Sequence, residues 1–169
     1  SKNLCLSDFI APKEIGKKDY IGMFCISSGF GIDNLVKYFT NINDDYNSIM
    51  SKILADRLAE ATLEMIHLKV RKQFWGYSKN EELEVSDLLK SKYQGIRPAF
   101  GYPSMPDHSE KKILFDLLNV EKLIGVKLTE NFAMYPASSI SGFFISHPKS
   151  SYFNVEKISE DQLIDYARR

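Results

Sequence analysis

The chain has 169 residues, 44% of them hydrophobic and 12% aromatic, which is enough for one ordinary globular domain with a real core. Its 22 basic and 22 acidic residues cancel and are interspersed, so no cationic footprint for DNA or RNA is present. Two cysteines, Cys5 and Cys25, are too few for a disulfide framework, and with three scattered histidines they make no zinc spacing. A reducing cytoplasm is therefore the expected compartment, and no apolar run reaches the length of a membrane span. The chain opens on Ser1 without a methionine, as a processed product or an excised piece would.

Residues 4–12 read as an extended piece ending at Pro12. The run Asp19–Ser27 is almost continuously apolar and aromatic, which predicts a buried strand that Ser27-Ser28-Gly29 breaks. A short helix is expected from Ile32 to about Phe39. From Asp45 to about Trp75, apolar residues recur at Tyr46, Met50, Ile53, Leu54, Leu58, Ala61, Met65 and Ile66. These steps of three and four predict one long amphipathic helix, or two nearly coaxial ones, capped by Asn43 or Asp44. A shorter helix is expected over Ser86–Lys92. Gln94–Asp107, rich in Gly and Pro, excludes helix and sheet alike and predicts a loop. Ser109–Leu118 returns to helix. Val126–His147 reads as strands, with a turn at His147-Pro148-Lys149-Ser150 and a partner strand over Tyr152–Val155. A last helix is expected over Ile158–Arg168, capped by Ser159. Strands and helices do not alternate as βαβ units, so the expected class is α+β with an antiparallel sheet.

Three features offer chemistry. In the loop Gly95-Ile96-Arg97-Pro98-Ala99-Phe100-Gly101-Tyr102-Pro103, Arg97 could grip a carboxylate or phosphate, and the backbone beside Ala99 could read a purine edge. The plainer reading is a structural turn in which Arg97 pairs with an acid or caps a helix. On the long helix, Asp56, Glu60, Glu64, His67 and Arg71 line one stripe. A carboxylate there could hold a cation or take a proton; more commonly such a stripe is a solvated face with internal ion pairs. Tyr152 and Phe153 could pack on an adenine or a sulfonium, or simply belong to the core, and on a strand only one of them can face a given side. His147 is a fourth candidate, though turn histidines are usually just solvated. No nucleophile elbow, phosphate loop or dinucleotide fingerprint is present.

At that loop the sequence resembles the activation domain of cobalamin-dependent methionine synthase. The resemblance is carried by Tyr93-Gln94-Gly95-Ile96-Arg97-Pro98-Ala99, Gly101-Tyr102-Pro103, Pro106, His108, Glu110 and Lys111. It extends through Asp8-Phe9-Ile10-Ala11-Pro12-Lys13, Asp19-Tyr20-Ile21-Gly22, Asp44-Asp45-Tyr46-Asn47 and Ala55-Asp56-Arg57-Leu58-Ala59-Glu60-Ala61. Trp75-Gly76-Tyr77, Lys127-Leu128-Thr129-Glu130, Phe132-Ala133-Met134, Ser141-Gly142, Ser146-His147-Pro148 and Tyr166-Ala167-Arg168-Arg169 complete it, in order along the chain.

The resemblance implies a bent antiparallel sheet with flanking helices, and a repair role in a methyltransferase of methionine biosynthesis. In that role the domain presents S-adenosylmethionine to inactive cob(II)alamin while a flavodoxin-type protein supplies an electron. It implies that Arg97 binds the ligand carboxylate, that the backbone at Ala99 meets the adenine with Tyr102 close by, and that Tyr152 and Phe153 form the aromatic pair at the ligand. Asp56 and Glu60 match acidic positions facing the cobalamin side. Ser91 stands where some members carry an acid. The family's domain is expected to begin before the segment matching Ser1, and an aspartate that contacts the ligand amine lies in that earlier part. Cobalamin itself is expected on another module of the enzyme. A different class of reading is a ligand-free interaction module that docks on a corrinoid protein or a flavodoxin through the acidic helical stripe.

Overall fold

The structure, a computed structural model, describes residues 4–155 and 158–168; Arg169 of the resembling C-terminal run lies outside them. Its centre is an antiparallel pair of strands, β1 (Gly22–Ser27) and β4 (Ser139–Phe144), in a register that sets Cys25 opposite Ser141. Both strands carry apolar side chains on both faces because both faces are covered. Phe24 and Ile26 of β1 and Ile140 and Phe144 of β4 point to one side, where they pack with Ala59, Leu63 and Val70. Met23, Cys25 and Phe143 point to the other side, against Phe100, Leu114, Phe115, Val120 and Val126.

The first side is roofed by α2 (Asp45–Lys69), capped by Asp44, whose carboxylate accepts the Asn47 N–H at 3.0 Å. A π turn, Val70–Phe74, continues it, with the Trp75 N–H reaching back to the Val70 carbonyl. α1 (Ile32–Asn41) lies along α2. The expected long helix therefore forms, but its buried face is not the expected one. Ser48, Ser51, Ala55, Ala59, Leu63 and His67 face inward, while Tyr46, Ile53, Leu54, Leu58 and Met65 are exposed. The cause is the close approach of the helix to its neighbours. The Ser28 hydroxyl donates to the Ala55 main-chain carbonyl, a contact that only small residues on that stripe permit.

The second side is closed by α4 (Lys111–Leu118), α5 (Val120–Ile124) and a small ladder of β2 (Lys127–Leu128) with β3 (Met134–Tyr135). The helix expected over Ser86–Lys92 is shorter and earlier, α3 (Val85–Leu88). α6 (Glu160–Ala167) ends the described chain behind a Ser159–Gln162 capping box. Mixed helices and small antiparallel sheets make the class α+β, as expected.

Two expectations fail at the sheet's edges. Residues 151–155 form no strand; β4 takes β1 as its partner instead. The Gly/Pro-rich loop, expected to exclude sheet, runs antiparallel to the free edge of β4. Ile96 and Ile145 exchange two N–H···O bonds at 2.9 Å, the Phe143 N–H donates to the Pro98 carbonyl at 3.0 Å, and the Phe100 N–H to Ser141 at 3.1 Å. Proline is tolerated there because an edge position needs no donor from it on the outer side.

Gly142 makes this seating possible. A Cβ on it would stand 2.1 Å from the Pro98 oxygen and 2.8 Å from the Ala99 Cα, both rigid backbone. Gly142→Ala is expected to push the loop off β4 and to cost about 1–3 kcal/mol of stability. Urea unfolding of the two proteins checks this, and an unchanged midpoint would mean the loop is not seated as described.

Candidate functional site

The seated loop, the α2 turns that carry Glu60 and Leu63 and the segment 152–154 enclose a cleft of about 310 Å³. Arg97, Ala99, Tyr102, Tyr152, Phe153 and Glu60 all line it. Thus six of the seven residues to which the resemblance gives a role at the ligand or the cobalamin converge, although they come from three regions of the chain. Asp56 does not line the cleft. It lies one helical turn before Glu60 and accepts the Ser138 hydroxyl at 2.7 Å. Because 151–155 is irregular and not a strand, Tyr152 and Phe153 need not face opposite ways, and both reach the cleft. The Phe153 ring also packs at 6.4 Å from Phe9, in the small cluster around Ile96 and Ile145.

Arg97 has both an acid partner and a place on the cleft wall. It pairs with an acid, since its Nη2 donates to Glu64 at 2.7 Å and its Nη1 lies 3.8 Å from Glu60. It also borders the cleft, and its Nε, buried, has no hydrogen-bond partner. Its backbone N–H donates to the Tyr152 hydroxyl at 3.1 Å, so Arg97 and Tyr152 share one concave site. Burial works against the guanidinium charge, but Tyr152, Tyr93 and Glu64 outweigh it and raise the pKa. The cation is therefore permanent.

Two phenols stand protonated at the rim. Burial, followed by the hydrogen bond that Tyr102 donates to Glu60, pushes the Tyr102 hydroxyl up to about 12. Burial and the neighbouring Tyr93, whose hydroxyl is 3.3 Å away, raise Tyr152 well above the usual phenol range.

The loop's far half is held by residues of the resembling motif. Gly101, at φ +89°, presses on the His108 ring, where a Cβ would come within 2.6 Å. Buried Lys111 lies 2.6 Å from His108 Nδ1 and donates to the Phe132 carbonyl at 3.0 Å. Those positions of the motif shape the loop and leave the lining to Tyr102, Pro103 and Ser104. Ser91, in the left-handed region at φ +52°, stands at the exposed edge of the cleft.

The polar stripe of α2 is not a solvated face. Glu60 and Glu64 are half-buried against Arg97, and His67 and Arg71 are wholly buried. This removes most of the surface that docking through the stripe would use. Glu64 enters the sequence reading only as one of the helical stripe and Tyr93 only as part of the motif, neither with a role at the ligand. Glu64's four-residue step from Glu60 was the one available signal; Tyr93 gave only its place in the motif.

No nucleophile–base pair lines the cleft, and among the described residues no group of three or more His, Cys, Asp or Glu could hold a metal ion. No described helix is long and apolar enough to cross a membrane. The fold and cleft define a small α+β domain whose cleft presents a fixed cation, the Glu60 carboxylate and aromatic faces. The sequence family is that of the vitamin B12 dependent methionine synthase activation domain, whose pattern matches residues 1–169, and the chain belongs to it. A crystal structure of the MetH reactivation domain bound to AdoHcy is 54% identical, with a TM-score of 0.93 over 97% of this chain. The match covers 50% of that chain, so the present one spans about half its length.

His67 supports the floor of the site. It stacks on Phe144 at 5.4 Å, meets Tyr93 edge-on at 4.9 Å and lies 3.4 Å from the Tyr77 hydroxyl. Burial, reinforced by Arg71 and Arg97, lowers its pKa to about 2. The folded state thus refuses a proton that the unfolded imidazole accepts. Stability from this residue is complete above the unfolded pKa of about 6.5 and is lost progressively below it. Between pH 7 and 5 the loss from His67 is expected to be about 2 kcal/mol. Denaturant unfolding at both pH values should show this loss in the wild type and not in His67→Gln. Equal losses in the two proteins would mean that the fold protonates His67 freely.

Proposed function

We propose that the cleft binds S-adenosylmethionine, and that the chain serves the reductive remethylation of inactive cob(II)alamin as part of a cobalamin-dependent methionine synthase. The observation that carries the reading is Arg97. It is a half-buried, permanently charged guanidinium on a cleft wall, with a buried and unpartnered Nε, beside Tyr152 and across from Glu60. That donor fits a ligand carboxylate, because a buried N–H without an acceptor is costly and a carboxylate is its best partner. The related reactivation domain is bound to AdoHcy, which has the same amino-acid and adenosine parts.

The residues present divide the ligand among them. Arg97 would hold the carboxylate. The outer backbone edge of the loop at Ala99, on the cleft, would meet the adenine, with Tyr102 beside it. The Tyr152 and Phe153 rings and the Glu60 carboxylate suit a sulfonium, which is stabilised by aromatic faces and by negative charge. S-adenosylmethionine supplies a methyl on a sulfonium whose departure leaves a neutral thioether, so the protein's work is positioning, without acid or base. The raised pKa values of Tyr102 and Tyr152 agree, since both remain neutral hydroxyls throughout the physiological range.

Cobalamin belongs to this proposal as the cargo of another module of the enzyme. The flavodoxin-type electron donor, the methyltransferase activity of the whole enzyme and a cytoplasmic location belong to it as well. Asp56, exposed and one turn from Glu60, faces away from the cleft lining toward Ser138 and is assigned to the cobalamin-facing side.

Calorimetric titration of S-adenosylmethionine into the chain tests the reading. Saturable one-site binding is expected, weakened about 10- to 100-fold in Arg97→Ala, the loss of one charge-assisted contact of about 1.5–3 kcal/mol. Binding that Arg97→Ala leaves unchanged would remove Arg97 from the site. An absence of binding in the wild type would refute binding by this chain.

A further inference from the structure

One buried cation touches both arms that hold Arg97, and the proposed function does not use it. Arg71 stands on the π turn after α2 and is wholly buried. Such turns often mark functional positions, because one extra residue re-aims the side chains that follow. Its Nε donates to the two Glu81 oxygens at 3.0 and 2.9 Å, and its Nη2 to Glu81 at 2.8 Å. Its Nη1 lies 3.9 Å from Glu64 Oε1. The other Glu64 oxygen accepts Arg97 Nη2 at 2.7 Å.

The second arm runs through aromatic groups. The Arg71 guanidinium sits 4.4 Å over the Tyr93 ring, within cation–π range. The Tyr93 hydroxyl is 3.3 Å from that of Tyr152, which accepts the Arg97 backbone N–H at 3.1 Å. The contacts close a circuit from Arg71 through Glu64 to the Arg97 side chain, and from the Arg97 backbone through Tyr152 and Tyr93 back to Arg71. A buried ion pair is a poor source of stability compared with apolar packing, so Arg71 and Glu81 are not explained by core filling alone. Their placement is explained if what they fix is a geometry.

We propose that Arg71, held by Glu81, is a positioning residue that sets the orientation of Arg97 in the cleft. The part of this that concerns the ligand rests on the S-adenosylmethionine reading; the orientation of Arg97 does not. Lysine in its place keeps the charge but cannot reach Glu81 and Glu64 together while covering the Tyr93 ring. The test is Arg71→Lys in the full chain, with the milder Glu81→Gln alongside in case the first does not fold.

The ligand-independent measurement is the nitrogen–proton NMR correlation of the Arg97 Nε–H. It should be dispersed in the wild type and should move to the position of solvent-exposed arginines in the variants. An unmoved Arg97 signal overturns the proposal. The ligand-dependent measurement compares S-adenosylmethionine with methylthioadenosine, which lacks the carboxylate. The variants should lose about tenfold in affinity for the first and nothing for the second. They should lose nothing further on an Arg97→Ala background. Equal losses for both ligands, or an undiminished loss on that background, would show a merely structural role and overturn it. If the wild type binds neither ligand while the Arg97 signal still shifts in the variants, the ligand reading fails and the positioning role stands.

Discussion

The site depends on the backbone seating of residues 96–100 against β4. Four N–H···O bonds, from Ile96, Ile145, Phe143 and Phe100, fix a segment whose composition would otherwise leave it free. The constraint is backbone on backbone, so it needs no side chain at Gly142 and tolerates none. Once seated, the segment buries Ile96, Pro98, Ala99 and Phe100, with Ala99 in the cluster that holds Ala59 and Leu63 of α2, and leaves Arg97 half-buried on that side. The alternation of a strand, imposed on an irregular loop, is what puts a single cation at the cleft wall.

The charges then follow from where α2 passes. A guanidinium brought to the edge of a core must find anions, and Glu60 and Glu64 are one helical turn apart on the side that faces it. Glu64 in turn borders Arg71, and Arg71 takes Glu81 from beyond the π turn. Three carboxylates face two guanidinium groups along this chain. The surplus negative charge falls at Glu60, the end that lines the cleft, where Tyr102 donates to it without neutralising it. A cleft with a fixed cation for a carboxylate and an excess anion a few ångströms away is matched to a zwitterion that carries a further positive charge. The sulfonium of S-adenosylmethionine supplies that charge, and a thioether does not.

How much of this was legible before the structure differs from element to element. The strand at Gly22–Ser27, the helices at Ile32–Asn41 and Asp45–Lys69 and the site loop carried signals of period and composition, and all formed close to their expected places. The face of the long helix did not. The hydrophobic period identifies a helix but not its buried side when close packing selects Ser48, Ser51, Ala55 and Ala59 over larger residues. The partner of β4 was misassigned for a related reason. Tyr152–Val155 lies next in sequence, but β1, more than a hundred residues earlier, supplies the complementary apolar faces. Pairings of that range leave no local trace. Local chemistry singled out Arg97, Ala99, Glu60, Tyr152 and Phe153 only beside plainer readings, and the resemblance, which spans the chain, added Tyr102 and gave them all roles at one ligand. Glu81 carried no signal at all, because its role exists only after the π turn has brought it beneath Arg71.

The arrangement also accounts for what the cleft lacks. A site for acid–base chemistry keeps a titratable group near neutrality and leaves it room to exchange a proton. Here every shifted group bordering the ligand space moves the other way. Arg97 is driven further into its charged form and Tyr102 and Tyr152 further into their neutral forms, while beneath them His67 is held unprotonated. None of these four groups changes protonation between mildly acidic and mildly basic pH, so the field they present is constant. For the proposed transfer, whose leaving group is neutral, a constant field and a fixed orientation are what the protein can contribute. Elements as distant in sequence as Glu60, Arg97 and Tyr152 are fastened to one another to provide them.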